Sequence, residues 1–111
     1  MRDFLEAYPH GSNRAARAPL AEDHVDPIVL AANASQAHAI PAGATYVMFS
    51  MDGDFYAKFG TSGVAAAVPS ASATTGAGSV LNPTQRRIPS DATHIALIAD
   101  AARKGSLSFY A

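Results

Sequence analysis

Cysteine is absent from this chain of 111 residues, and with it go disulfides, thiol nucleophiles and thiolate metal sites. Tryptophan is absent as well and aromatics make up only 8%. A sugar-stacking platform would therefore fall to Tyr46, Phe55, Tyr56 and Tyr110, a poor set for that purpose. Hydrophobic residues reach 49%, but much of that is alanine, which predicts a thin core of Val, Ile, Leu, Phe and Tyr that leans on partners. Eight basic and nine acidic residues leave a formal net charge of -1. Such a chain has no long-range field to draw in nucleic acid or an anionic membrane, and neither is expected as a partner. Long apolar runs are missing too: nothing approaches the roughly 18 residues of a membrane helix. The first residues, Met1-Arg2-Asp3-Phe4-Leu5-Glu6, carry charge where a secretory signal needs an apolar block of about 7 to 15 residues. The chain reads as a soluble product.

Reactive constellations are equally scarce. His10, His24, His38 and His94 show no spacing that would place two imidazoles on one face of one element, as a zinc site requires. Gly60-Thr61-Ser62-Gly63 and Gly76-Ala77-Gly78-Ser79 have the glycine of a phosphate loop without its lysine or following helix. No Gly-x-Ser-x-Gly stands between a strand and a helix. Asp52 and Asp54 flank Gly53, but a calcium loop needs more oxygen ligands at alternating positions, and Phe55 follows at once. Asp52-Gly53 reads as a two-residue hairpin turn. Asn33-Ala34-Ser35 matches a glycosylation pattern without a secretory context. No catalytic, cofactor or metal residues are assigned, and an enzyme is the least favoured class.

What the sequence does contain is a repeated phrase. Ile40-Pro41-Ala42-Gly43-Ala44-Thr45-Tyr46-Val47-Met48-Phe49 returns forty-eight residues later as Ile88-Pro89-Ser90-Asp91-Ala92-Thr93-His94-Ile95-Ala96-Leu97. Each phrase follows a short apolar run, Ile28-Val29-Leu30 and then Val80-Leu81, and each leads to an aromatic pair, Phe55-Tyr56 and then Phe109-Tyr110. The segment 45–51 is the strongest strand, with apolar residues on both alternating faces, as suits a central strand covered on both sides. Strands are also expected at 28–30, 36–40, 55–59, 64–68, 80–81, 95–99 and 107–110. The stretch 70–79 is all Ala, Ser, Thr and Gly and reads as an exposed loop. Turn chemistry every 8 to 12 residues, with almost no helical period, predicts an all-β, two-sheet antiparallel sandwich of jelly-roll-like type, built from two similar β units.

Residues 1–26 differ from the domain expected over 27–111. They hold charges, two prolines and the turn cluster Gly11-Ser12-Asn13, with no sustained period. This is an extended N-terminal arm. Residues 3–8 are placed for one helical turn carrying Phe4, Leu5 and Tyr8 on a shared side. Free termini are commonly disordered; the apolar anchors favour instead a segment that orders on a neighbouring subunit. Phe4, Leu5, Tyr8 and Leu20, with Arg14 and Arg17, are the candidate partner-interface residues. The pairs Arg86-Arg87 and Arg103-Lys104 either meet a partner's carboxylates or keep sheet edges in water.

The segments Ile28-Val29-Leu30-Ala31-Ala32-Asn33, Ile40 to Ser50, Asp54 to Gly60 and the Val68-Pro69, Gly76 to Ser79 and Leu81-Asn82-Pro83 region together resemble small β-sandwich virion proteins of tailed bacteriophages, capsid cement or decoration proteins above all. The resemblance implies a non-enzymatic structural protein without cofactor. It implies assembly as a homo-oligomer, trimer favoured, on the major capsid protein or another virion protein. It also implies a place in the virion after synthesis in the bacterial host cytoplasm. A tail or head-to-tail joint component and a carbohydrate-binding sandwich are the alternatives.

Overall fold

The computed structural model describes Met1 and residues 22–111; the expected helical turn at 3–8 lies outside the described residues. Eight strands follow one another among the described residues: β1 Val25–Leu30, β2 Gln36–Ala39, β3 Tyr46–Met51, β4 Tyr56–Gly60, β5 Val80–Leu81, β6 Gln85–Arg87, β7 His94–Ile98 and β8 Arg103–Tyr110. They form two four-stranded sheets, ordered β1-β8-β3-β6 and β2-β7-β4-β5, in which every ladder is antiparallel. Successive strands alternate between the sheets, except that β4 and β5 stay in one sheet and pair with each other. That connectivity is the jelly roll.

The duplication is written into this topology. Exchanging β1 with β5, β2 with β6, β3 with β7 and β4 with β8 converts the order of the first sheet into that of the second. The registers obey the same exchange. Ala39 faces His94 where Arg87 faces Tyr46, and Ile40 N–H donates to Thr93 C=O at 2.9 Å where Ile88 N–H donates to Thr45 C=O at 2.7 Å. The two repeated phrases close the same turn, Ala44 N–H to Pro41 C=O and Ala92 N–H to Pro89 C=O. Gly43 has a φ of 86° there, as a type II turn demands at its third position, whereas Asp91 keeps a negative φ.

The core lies between the sheets. Ile28 and Leu30 on β1, Val47 and Phe49 on β3, and Leu107 and Phe109 on β8 meet Ala57, Ile95 and Leu97 of the facing sheet. Phe49 spans the gap, its ring 6.0 Å from Phe55 and 6.4 Å from Phe59. Each fully buried aliphatic or aromatic side chain contributes about 1.5–3 kcal/mol relative to exposure, so a few such residues from each sheet suffice where alanine fills the rest.

Several expectations change. First, Asp52-Gly53 does not turn a hairpin. β3 and β4 lie in different sheets, and Gly53 lacks the positive φ of a type I′ turn. The segment is a crossover: Asp52 N–H donates to Lys104 C=O, and its Oδ1 accepts from Lys104 N–H. Second, Phe59, not the pair Phe55-Tyr56, is the counterpart of Phe109, because Phe59 pairs with Ile95 as Phe109 pairs with Val47. Third, residues 64–68 form no strand; they lie across the outer face of the second sheet, where Val64, Ala66 and Val68 pack with Tyr56, Ala96 and Ile98. Residues 70–78 are exposed, as their composition predicts. β1 also starts earlier than its β-branched run, at Val25, carrying Asp26-Pro27 inside an edge strand.

Candidate interaction surface

Large apolar side chains reach solvent in one pattern among the described residues of the sheets. Val25 and Val29 are 44% and 63% exposed, and Val80 and Leu81 are 48% and 51% exposed. The first pair sits on β1 and the second on β5, two strands that the internal duplication makes equivalent and that are each the edge of a sheet. Alternation explains β1: Ile28 and Leu30 point inward, so Val25, Pro27 and Val29 point to the outer face. There Val25 stands opposite Ser108 and Val29 opposite Lys104, and the row runs on to half-buried Met48 and Tyr46 on β3.

The centre of that face is tied down. Tyr110 is buried, and its hydroxyl donates to a Glu22 carboxylate oxygen at 3.0 Å. Burial, followed by the Glu22 carboxylate, raises the phenol pKa above 10. His24 and Asp26 approach to 3.4 Å, while the His24 ring stands edge-on to Phe109 at 5.6 Å. His24 therefore packs on the sandwich.

Other sequence candidates stay dispersed. His24, His38 and His94 sit on different strands or approaches, and no group of three metal-capable side chains forms among the described residues. Asp54 Oδ1 accepts from Asn82 Nδ2 at 2.8 Å, while Asn82 Oδ1 accepts from Phe55 N–H at 3.0 Å. Asp54 here, like Asp52 at Lys104, thus holds loops together. Arg86 and Arg87 lie on the edge strand β6; Arg87 donates to the Tyr46 hydroxyl at 2.7 Å and stacks 5.3 Å from that ring's centre. Arg103 leans back on its own fold, with Nε donating to Asp54 C=O at 3.4 Å.

Phe4, Leu5, Tyr8, Arg14, Arg17 and Leu20 lie outside the described residues. No protein-family model, curated protein or solved structure matches the chain. Its own geometry must carry the reading.

A groove of about 580 Å³ opens between the two repeated turns, walled by Ile40, Pro41, Tyr46, Arg87, Ile88 and Pro89. Tyr46 and Arg87 are bonded to each other there, and the described residues that line the space include no carboxylate or imidazole. Of the four rings considered for sugar stacking, Phe55 and Tyr110 are buried, while Tyr46 and Tyr56 are half-buried. They do not form a flat exposed platform. The exposed valines and leucine of β1 and β5 escape a sequence reading, because Ile28-Val29-Leu30 and Val80-Leu81 are apolar whichever way each residue faces. Only the pairing register decides that.

Proposed function

We propose that this protein is a non-enzymatic structural component of a bacteriophage virion, a capsid cement or decoration protein that stabilises the shell by contacts with the major capsid protein or another virion protein. The observation that carries the reading is the exposed apolar pairs on β1 and β5, which lie at the edges of two different sheets and so offer contact to two neighbours at once. Jelly rolls build viral capsid domains among other proteins, a fold-level analogy that supports the role without assigning it. Near-neutral charge suits dense packing of many copies, where a strong net charge would repel.

Shell binding by such a protein sums modest contacts over many copies and gains from spanning several subunits. The arm adds a second point of attachment through Phe4, Leu5, Tyr8 and Leu20, with Arg14 and Arg17 available for carboxylates. Co-sedimentation with purified shells tests this. The full chain is expected to pellet with shells, and a chain lacking residues 2–21 is expected to stay folded and pellet far less. Equal pelleting of the two chains would remove the arm from the attachment, and failure of both to pellet would remove the virion role.

A further inference from the structure

The four sheet edges are guarded unequally. On β1, Phe109 N–H donates to His24 C=O, so the alternation of an antiparallel ladder turns the backbone groups of Val25, Pro27 and Val29 away from β8. Pro27 has no N–H to offer, and the Val29 C=O already accepts from Gln36 Nε2 at 2.7 Å. On β6 the outward residues are Gln85 and Arg87; the Gln85 C=O accepts from Arg86 Nη1 at 2.7 Å, and two arginines flank the edge. β5 is two residues long and ends at Asn82, whose φ is 48°, and Pro83. These are the devices by which natural sheets refuse a further strand.

β2 is four residues long and has one of them, Pro41, which comes only two residues past its end. Ile40 N–H donates to Thr93 C=O, so Gln36 and His38 bond to β7 and the N–H and C=O of Ala37 and Ala39 point outward. Both alanines are exposed, and no described side chain caps them. β6, its counterpart in the duplication, carries Arg86 and Arg87 where β2 carries His38 and Ala39. The contrast extends beyond the strand: between Asp26 and Asp52 the chain contains no Asp, Glu, Lys or Arg. A two-fold contact places each residue near its own copy and so doubles any charge it holds. At β6 that would bring four arginines to one seam, and at β2 the strand itself brings no permanently charged side chain, Asp26 of β1 being the carboxylate near enough to act on His38.

We propose that β2 pairs antiparallel with β2 of a second copy of this chain, centred on His38. Ala37 of each copy then exchanges hydrogen bonds with Ala39 of the other, and two four-stranded sheets become one continuous sheet. The seam is short, below the roughly 1,000 Å² of a standard stable interface, and association near or above micromolar concentration follows. This pairing stands independently of the virion reading, since it is measured on the purified chain alone.

Sedimentation equilibrium of the full chain over a wide concentration range tests it, with Ala39→Pro and the double variant Ala37→Lys, Ala39→Lys beside the parent. Proline at 39 removes only an outward N–H and leaves the ladder to β7 intact. The lysines repel across the seam and remain in solvent, so the double variant decides the matter if proline impairs folding. Expected are a monomer–dimer equilibrium in the parent and self-association weakened roughly tenfold or more in the variants, with unchanged circular dichroism in the double variant. A Gln85→Lys control at the guarded β6 edge should associate like the parent. A parent monomeric at every concentration, a parent forming closed trimers, or a dimer indifferent to the double variant would overturn the proposal.

Discussion

The outer faces of the two sheets descend from the same repeated unit and have taken opposite courses. On the second sheet, Ala96 and Ile98 disappear beneath residues 64–68 of the chain's own long β4–β5 connection. Ser35 Oγ and Ser79 Oγ pin that cover by accepting from the N–H groups of Ala66 and Ala67. On the first sheet, the edge strand leaves Val25 and Val29 in solvent. One face is thereby finished as part of the fold, and the other keeps apolar surface at its rim. A duplication that fixes strands and registers does not fix what covers them, because cover comes from connections and the connections differ.

The comparison can be strained where the sheets are most tightly bound. A Cβ at Gly105 would run into the Ser50 carbonyl and the Met51 side chain, so Gly105→Leu is expected to cost on the order of 3 kcal/mol or more, or to prevent folding. Urea unfolding, or the yield of soluble protein, reads this. Next comes the shared core. Phe109→Ala removes a fully buried ring and should lower stability by about 3–5 kcal/mol, measured as a shift of the denaturation midpoint with unchanged slope.

A direct contrast between the faces follows. Ile98→Ala, beneath the cover, is expected to cost about 2–4 kcal/mol, whereas Val29→Thr, on the exposed rim, should fall within about 0.5 kcal/mol of the parent and weaken attachment to shells instead. Comparable stability losses at the two positions would erase the distinction. Gly60→Ala sharpens it, since a Cβ there would press on Val64 at 2.7 Å and should loosen the cover. Faster amide exchange at residues 96–98 than in the parent would report that.

The smallest effect concerns pH. Burial holds the His38 imidazole below its ordinary 6.5, against the pull of Asp26. The folded state thus favours neutral His38, and the unfolded chain takes up the proton first. The resulting stability is present above about pH 6.5 and declines as pH falls below it. A denaturation midpoint that drops between about pH 7 and 5, less steeply in His38→Gln, is the expected result.

Much of this architecture was legible beforehand. The repeat of Ile40–Phe49 in Ile88–Leu97, with its period-2 apolar pattern, predicts β3 and β7 as corresponding strands, and the two-sheet sandwich follows from short strands between turns. Partner choice was not legible, and the reason is physical. Asp52-Gly53 satisfies the local chemistry of a hairpin, but inward-facing Phe49 and Phe55 gain more by meeting across the gap between the sheets than side by side in one. Local preference lost to core packing there. Exposure on β1 and β5 depends on which neighbour each strand finds, and the same holds for the unguarded edge at Ala37 and Ala39. Phe4, Leu5, Tyr8 and Leu20, the apolar anchors expected from the sequence, lie outside the described residues.

Electron cryomicroscopy of virions assembled with and without this protein tests the proposed adhesive role most directly. Added density on the outer shell, with the strand edges bearing Val25, Val29, Val80 and Leu81 turned toward neighbouring subunits, is the predicted result. Identical particles in the two preparations, or density that leaves both edges facing open solvent, would contradict it.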